Sequence, residues 1–133
     1  MMDINEDELK KKLTPEQYHV LRERGTEYPG SGKLLYNEDK GEYHCAVCDS
    51  LLFMSDSKYD STTPGLIGWP SFSEIAEGGA VELVDDHTMG MHRLEAVCKT
   101  CGSHLGHYFE DPSSPNGKHF CINSASLDFK KTT

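Results

Sequence analysis

Two Cys-x-x-Cys pairs constrain the folding of this 133-residue chain more than any other sequence feature. Cys45 and Cys48 form the first pair, and Cys98 and Cys101 form the second after an interval of 49 residues. Each such turn presents two thiolates to one side of a tetrahedral site, so two turns supply the four soft ligands that Zn²⁺ prefers. The long interval predicts that one zinc ion joins two distant β-hairpins, in a closed site that stabilises the fold rather than catalysing a reaction.

The four paired cysteines also fit two roles without zinc. They could be ordinary buried side chains, or one pair could be a thioredoxin-like redox motif, although that motif prefers a βαβ context that this chain lacks. His44 stands beside Cys45 and could be mistaken for a ligand. With four thiolates available, we expect the imidazole of His44 to lie outside the coordination sphere.

Charge and hydropathy argue against several classes of protein. The chain carries 22 acidic and 13 basic side chains, whereas nucleic-acid binding depends on Lys and Arg. Pro and Gly interrupt the longest uncharged stretch, residues 61–73, so no apolar run approaches the roughly 18 residues of a membrane span. The N-terminus lacks the pattern of a signal peptide, and an odd number of cysteines without an export signal predicts reduced thiols. We therefore expect a cytoplasmic protein without a nucleic-acid or membrane partner.

Helix signals are confined to an N-terminal arm, at about residues 5–25. Asn5 and Thr14 are both good helix caps, and Pro15 after Thr14 suits the first helical position. Gly25 is expected to end the second helix.

From about residue 33 to 130, short β-type stretches alternate with clusters of turn-forming residues. Because no helices intervene, these strands predict a mainly β fold, an antiparallel sandwich or open barrel, in a single domain of residues 1–133. The predicted strands are Tyr43–Val47, Leu51–Phe53, Ala80–Val84, His92–Val97, Leu105–Phe109, Lys118–Asn123 and Ser126–Phe129.

The fifth cysteine, Cys121, lies in a strand with an informative alternation. His119, Cys121 and Asn123 point to one face of that strand, and Phe120 and Ile122 point to the other. A free cysteine is more often a small buried hydrophobe than a nucleophile. The polar neighbours on its own face nevertheless place the sulfur outside the core, and basic or hydrogen-bonding groups nearby favour a reactive thiolate.

Two further segments carry candidate functional side chains. His104 and His107 follow the second cysteine pair and can donate protons to a reacting group, although they could equally be surface histidines near a metal knuckle. Trp69, the only tryptophan, lies in a loop constrained by Gly68 and Pro70. A sole tryptophan is usually part of a core, but these flanks also suit an aromatic wall of a pocket.

Together these segments resemble the methionine-(R)-sulfoxide reductase B family. The resemblance implies two antiparallel sheets, short N-terminal helices, and a zinc site at the end opposite the active site. The matching stretches run in family order along almost the whole chain and comprise residues 25–27, both cysteine pairs, residues 68–72 (GWPSF), residues 104–107 (HLGH) with Phe109, and residues 121–127 (CINSASL).

Carried over by position, the resemblance implies a chemical role for four side chains. Cys121 is the nucleophile that attacks the sulfoxide sulfur and becomes a sulfenic acid. His104 and His107 hydrogen-bond or protonate the sulfoxide oxygen as it leaves, and Asn123 orients the network. The substrate is methionine (R)-sulfoxide in proteins or peptides, because separate enzymes handle the two epimers.

Substrate binding is assigned to three further positions, again by resemblance. Trp69 holds the methyl group of the substrate, and Phe109 and His119 contribute to the same pocket. We expect a monomer, recycled by thioredoxin or another external thiol.

The sequence departs from the family pattern at three places. His119 stands where the family usually has Arg, so stabilisation of a thiolate is expected to be weaker or more dependent on pH. Residues 61–67 hold no cysteine, whereas many members carry a resolving cysteine there, and residues 111–115 replace a more Gly-rich loop.

Two other functions fit parts of the sequence. A zinc-stabilised binding module that has lost activity is favoured only by His119. A zinc-ribbon nucleic-acid protein would need a basic face, which this acidic chain does not present.

Overall fold

The computed structural model describes residues 3–132, with only the backbone at Met89. The two ends of the predicted domain, residues 1–2 and 133, lie outside the described residues. The helices are α1 (Glu6–Lys12) and α2 (Pro15–Arg22). The strands are β1 (Gly41–Cys45), β2 (Leu51–Met54), β3 (Lys58–Tyr59), β4 (Ser71–Phe72), β5 (Val81–Asp86), β6 (Arg93–Cys98), β7 (His104–Glu110), β8 (Lys118–Ile122) and β9 (Leu127–Lys131).

Both helices begin where the caps predict. The Asn5 side chain accepts a hydrogen bond from the backbone N–H of Glu8, and Thr14 and Gln17 form a reciprocal capping box. In residues 3–132, no helix is long and apolar enough to cross a membrane.

The second helix ends earlier than Gly25. Helix α2 ends at Arg22, and Arg24 adopts the left-handed conformation with φ 57°. Such a conformation costs a non-glycine residue about 1 kcal/mol. The backbone N–H of Gly25 donates to the carbonyl of His19 at 3.0 Å and closes the helix end, and the Arg24 guanidinium lies 2.9 Å from a carboxylate oxygen of Glu95.

The strands form two antiparallel sheets, which confirms the predicted fold class. A three-stranded sheet has the order β2-β1-β9, and a six-stranded sheet has the order β3-β4-β8-β7-β6-β5. All seven predicted strands are present. The prediction missed β3 and β4, because two residues are too few to show an alternating pattern.

Aromatic rings from both sheets meet in the core. Tyr43 and Phe53 come from the small sheet, and Phe72 and Phe120 come from the large one. The rings of Phe53 and Phe72 stack with centroids 4.4 Å apart, and the edge of Tyr43 meets Phe72 at 5.0 Å. Such pairs add about 1 kcal/mol each beyond the apolar area that they bury.

The alternation predicted for β8 is confirmed by its packing. Phe120 and Ile122 belong to the core between the sheets, and Cys121 on the opposite face lines a pocket. The strand ends at Ile122 because a short 3₁₀ turn, Ser124–Ser126, follows Asn123. That turn therefore replaces the predicted end of one strand and the start of the next.

Candidate active site and metal centre

The four paired cysteines come together at the turns of two hairpins, one from each sheet. Cys45 and Cys48 flank the turn between β1 and β2, and Cys98 and Cys101 flank the turn between β6 and β7. Their sulfur atoms all lie within 4.8 Å of one another, with Cys45 to Cys101 at 3.7 Å and Cys48 to Cys98 at 3.5 Å. A tetrahedral zinc site with Zn–S bonds of about 2.3 Å has S···S edges of about 3.8 Å. The cluster therefore fits a metal site that joins the sheets.

Both cysteine turns have the same backbone design. Asp49 and Gly102, each one residue beyond its pair, take positive φ angles of 66° and 77°. Their backbone N–H groups donate to the carbonyls of Cys45 and Cys98 at 2.9 and 2.7 Å. The turns therefore present their sulfur atoms in equivalent ways.

His44 lies outside this cluster, as expected. Its Nδ1 is 2.7 Å from the carbonyl oxygen of Asp49, and its Nε2 is 2.9 Å from a carboxylate oxygen of Glu42. Both ring nitrogens are therefore engaged by oxygen atoms rather than available to a metal.

A pocket opens on the outer face of the six-stranded sheet. It encloses about 420 Å³, including its open mouth, which suits a single side chain or small molecule. Of the predicted site residues, five line it: Trp69, His107, Phe109, Cys121 and Asn123. The other described lining residues are Thr26, Gly65, Leu66, Arg93 and Gly106.

Strand register sets the floor of this pocket. Cys121 lies directly opposite His107 on β7 and opposite Ser71 on β4. Cross-strand neighbours have Cβ atoms about 5 Å apart, so the imidazole and the thiol share one face. A Cβ at Gly106 would collide with the carbonyl oxygen of Cys121, which explains the glycine between the two histidines.

Trp69 forms part of the wall for a local reason. Gly68 has φ 111°, a conformation that side chains rarely tolerate, and its carbonyl accepts a hydrogen bond from the N–H of Gly30 at 2.8 Å. The indole Nε1 donates to the carbonyl oxygen of Glu27 at 3.0 Å. The ring is therefore tied to the N-terminal segment instead of being buried in the core.

Each predicted histidine is oriented by a carboxylate. His104 Nδ1 lies 2.6 Å from Glu95, and His107 Nε2 lies 2.7 Å from Asp86. The two imidazole rings meet edge to face at 5.5 Å. Nδ1 of His107 is therefore the ring nitrogen left to meet a ligand. His104 is buried and is not among the described residues that line the pocket.

These carboxylates belong to a charge network that the sequence patterns did not predict. Arg24 lies 2.9 Å from Glu95 and 3.4 Å from Asp86, and Arg93 lies 3.5 Å from Asp86. Hydrogen bonds from His107 and then Thr88 lower the pKa of Asp86 well below its usual range. Asp86 is therefore a carboxylate at neutral pH.

Arg93 itself lines the pocket and was not predicted as a site residue. Its Nη2 lies 3.5 Å from a carboxylate oxygen of Asp86, and its buried Nε has no hydrogen-bond partner among the described residues. In the sequence, the only signal for Arg93 was a charged residue directly after the first residue of the predicted strand His92–Val97. Charged residues are common at such positions, so this signal does not identify a functional residue.

Burial also lowers the pKa of His104, despite the opposing hydrogen bond to Glu95. A histidine with a lowered pKa is neutral at pH 7. With Nδ1 donating to the carboxylate, the neutral tautomer leaves Nε2 as a hydrogen-bond acceptor.

The expectation that neighbouring groups favour a Cys121 thiolate is wrong for this structure. Burial, and then the negative charge of Glu27, raises the pKa of Cys121 to about 12. The Asn123 side chain is already used: its oxygen accepts from the N–H of Glu27, and its nitrogen donates to the carbonyl of Leu105. The thiol is therefore protonated at neutral pH.

His119 occupies a different place from the one predicted. It is fully buried and is absent from the described lining of the pocket. Its Nε2 lies 2.8 Å from Ser71 Oγ, and its Nδ1 lies 2.9 Å from Asp111, which also accepts a hydrogen bond from Thr63 at 2.6 Å. The side chain thus joins β8 to β4 and to the loop that holds Asp111.

The chain carries a SelR domain, whose family model matches residues 13–131. A peptide methionine sulfoxide reductase MsrB of Methanosarcina barkeri is 56% identical over 129 residues, covering 97% of this chain and 88% of that protein. One from Leptospira interrogans is 49% identical over 127 residues, covering 96% of this chain and 94% of that protein.

A longer relative extends the comparison to animals. The mitochondrial methionine-R-sulfoxide reductase B3 of Mus musculus is 48% identical over 126 residues, but this chain spans about half the length of that protein. The chain belongs to the methionine-R-sulfoxide reductase B family.

The raised pKa of Cys121 predicts unusual alkylation kinetics. Because the thiolate fraction of a group with a pKa of about 12 is small, its reaction rate with iodoacetamide should rise about tenfold per pH unit from pH 7 to 10. Mass spectrometry of the modified peptide measures the rate. A synthetic peptide of residues 117–125 is the control, and its rate should level off above about pH 9. A plateau below pH 9 in the folded protein would contradict the prediction.

Proposed function

We propose that this protein reduces methionine (R)-sulfoxide in peptides and proteins, with Cys121 as the nucleophile. Its family membership makes it an oxidoreductase that acts on methionine sulfoxide. The observation that carries the proposal is the pairing of Cys121 with His107 across β7 and β8, on the floor of a pocket walled by Trp69.

The reaction exchanges one oxygen atom. The sulfur of Cys121 attacks the sulfoxide sulfur, the sulfur–oxygen bond of the substrate breaks, and the oxygen ends on Cys121 as a sulfenic acid. The thiol proton ends on that oxygen, so the thiol is oxidised, the sulfoxide is reduced to methionine, and atoms and electrons balance. Because Cys121 is protonated at rest, its proton must leave as the attack proceeds.

His107 is the group placed to assist this proton transfer. A sulfoxide oxygen leaves only when it is protonated, and a histidine beside the nucleophile can carry the proton. Asp86 holds the ring through Nε2, so Nδ1 exchanges the proton with the reacting atoms. His104 and Asn123 act by positioning, since His104 packs against His107 and Asn123 ties the end of β8 to Glu27 and Leu105.

The two sides of the pocket support selectivity for the R epimer. Trp69 and Phe109 offer apolar surface to the substrate's methyl group, whereas His107 and Arg93 offer polar groups to its oxygen. An epimer with methyl and oxygen exchanged would place a polar atom against aromatic rings, which is unfavourable. His119 contributes by joining β8 to β4 through Ser71.

An external thiol, thioredoxin or a small-molecule thiol, completes the proposed cycle. Four of the five cysteines form the cluster and the fifth is the nucleophile, so no thiol remains to resolve the sulfenic acid internally. Such recycling requires a reducing compartment, which supports a cytoplasmic location. We propose that the enzyme is a monomer made of one domain.

Zn²⁺ is the metal that we propose for the cysteine cluster. Four thiolate donors at tetrahedral spacing favour it, and a closed site of this kind stabilises a fold. Cys98 ends β6, and the pocket residue Arg93 begins it, about 17 Å away at the usual rise of a strand. The ion would therefore support the sheets at a distance from the chemistry.

Replacement of one cluster cysteine tests the zinc proposal. Cys48→Ser should reduce bound zinc from one ion per chain to a small fraction and should lower the thermal midpoint by several degrees, because the turns of both sheets lose their shared ligand. Elemental analysis and calorimetry measure both quantities. Cys121→Ser is the matched control and should keep its zinc. Equal zinc contents in the two variants would refute the assignment.

Turnover of both epimers tests the reductase proposal. With dithiothreitol as reductant, the protein should reduce the R epimer of a peptide methionine sulfoxide and leave the S epimer unchanged. Cys121→Ser should lower the rate to the uncatalysed level while circular dichroism stays unchanged. Equal rates in parent and variant would favour a binding module without activity.

A single turnover without reductant tests the recycling. Mass spectrometry should then find one sulfenic acid, trapped by dimedone on Cys121, with all zinc retained. An internal disulfide accompanied by zinc release would show that a cluster cysteine acts as the resolving thiol.

A further inference from the structure

A second group of metal-ligating side chains lies at the end of the β5–β6 hairpin. Asp85, His87 and His92 each offer a ligand atom, and these atoms lie within 4.8 Å of one another. His92 Nε2 is 3.0 Å from a carboxylate oxygen of Asp85. The imidazole rings of His87 and His92 stack with centroids 4.7 Å apart and planes 13° apart.

From this geometry we infer that the hairpin end binds one divalent transition-metal cation through two imidazoles and a carboxylate. Imidazole nitrogen suits Ni²⁺, Cu²⁺ and Zn²⁺ among the divalent ions. All three side chains are exposed, so water completes the coordination. The donor set differs from the four thiolates of the cysteine cluster, and the two sites therefore differ in the ions that they prefer.

The backbone holds these three residues on a braced turn. A short 3₁₀ turn, Thr88–Gly90, places His87 and His92 on its two sides, and Gly90 at φ 70° reverses the chain. Asp86 accepts hydrogen bonds from the backbone N–H and the hydroxyl of Thr88 at 2.9 and 2.7 Å. A preorganised turn limits the entropy that is lost when a cation is bound.

Only side-chain rotations separate the observed arrangement from a chelate. A cation needs ligand atoms about 3 to 3.5 Å apart, which follows from metal–nitrogen and metal–oxygen bonds of about 2.1 Å. Asp85 and His92 already meet this spacing. An exposed imidazole can rotate between staggered rotamers away from its stacked partner at a cost that a metal–nitrogen bond outweighs.

The proposed cation site shares its hairpin with the pocket. Asp86, next to Asp85, holds His107, and Arg93, next to His92, lines the pocket. A cation that links β5 to β6 stabilises this hairpin because it binds only the folded arrangement. The cation-binding proposal itself does not depend on the reductase activity, since none of its three ligands lines the pocket among the described residues.

Nickel titration of the full-length protein, with its cysteine cluster already loaded with zinc, tests the site. Equilibrium dialysis with elemental analysis should find one Ni²⁺ per chain in addition to the zinc. The double variant H87A/H92A should bind Ni²⁺ at least about tenfold more weakly, because loss of even an outer-sphere partner has effects of that size. Its unfolding midpoint without Ni²⁺ should match that of the parent.

Two matched variants complete the experiment. His19→Ala removes another exposed histidine that pairs with a carboxylate, Glu23 at 3.3 Å, and should bind Ni²⁺ like the parent. Cys121→Ser should also bind it normally, which separates this proposal from that of the reductase. Equal affinity of the parent and H87A/H92A, no bound Ni²⁺, or uptake matched by released zinc would each overturn the inference.

Discussion

The guanidinium of Arg24 joins three parts of the molecule on which the candidate site depends. The backbone of Arg24, just after helix α2, has a left-handed conformation, and its side chain reaches Glu95 on β6 and Asp86 on β5. Both carboxylates are buried, so without a cation they would be costly to keep charged. Each in turn orients one histidine of β7. The helical arm is therefore part of the site, because it neutralises the groups that set both imidazoles.

Three segments that we expect to depart from the family pattern are joined by one carboxylate. Asp111 accepts hydrogen bonds from Thr63 and His119, which links the segment of residues 61–67, the loop of residues 111–115 and strand β8. Those hydrogen bonds, the one from Thr63 first, lower the pKa of Asp111. One carboxylate therefore serves both the buried imidazole of His119 and the hydroxyl of Thr63.

Local patterns predicted much of this fold, and long-range contacts account for what they missed. Residues close together in sequence were enough to predict the helix caps at Asn5 and Thr14 and the seven strands. They also predicted which face of β8 each side chain occupies. The 3₁₀ turn at Ser124–Ser126 does not, because Glu27 accepts the N–H groups of Ser124 and Ala125 from the far end of the chain. The pKa of Cys121 was missed for the same reason, since burial and Glu27 determine it.

The buried position of Cys121 also has a consequence for durability. Peroxides attack thiolates far faster than thiols, and repeated attack converts a cysteine to sulfinic acid, which most cells cannot reverse. In the proposed mechanism, Cys121 keeps its proton until a sulfoxide occupies the pocket, which would protect it from the oxidants that generate the proposed substrate. The same burial that slows the free thiol would therefore extend the working life of the protein under oxidising conditions.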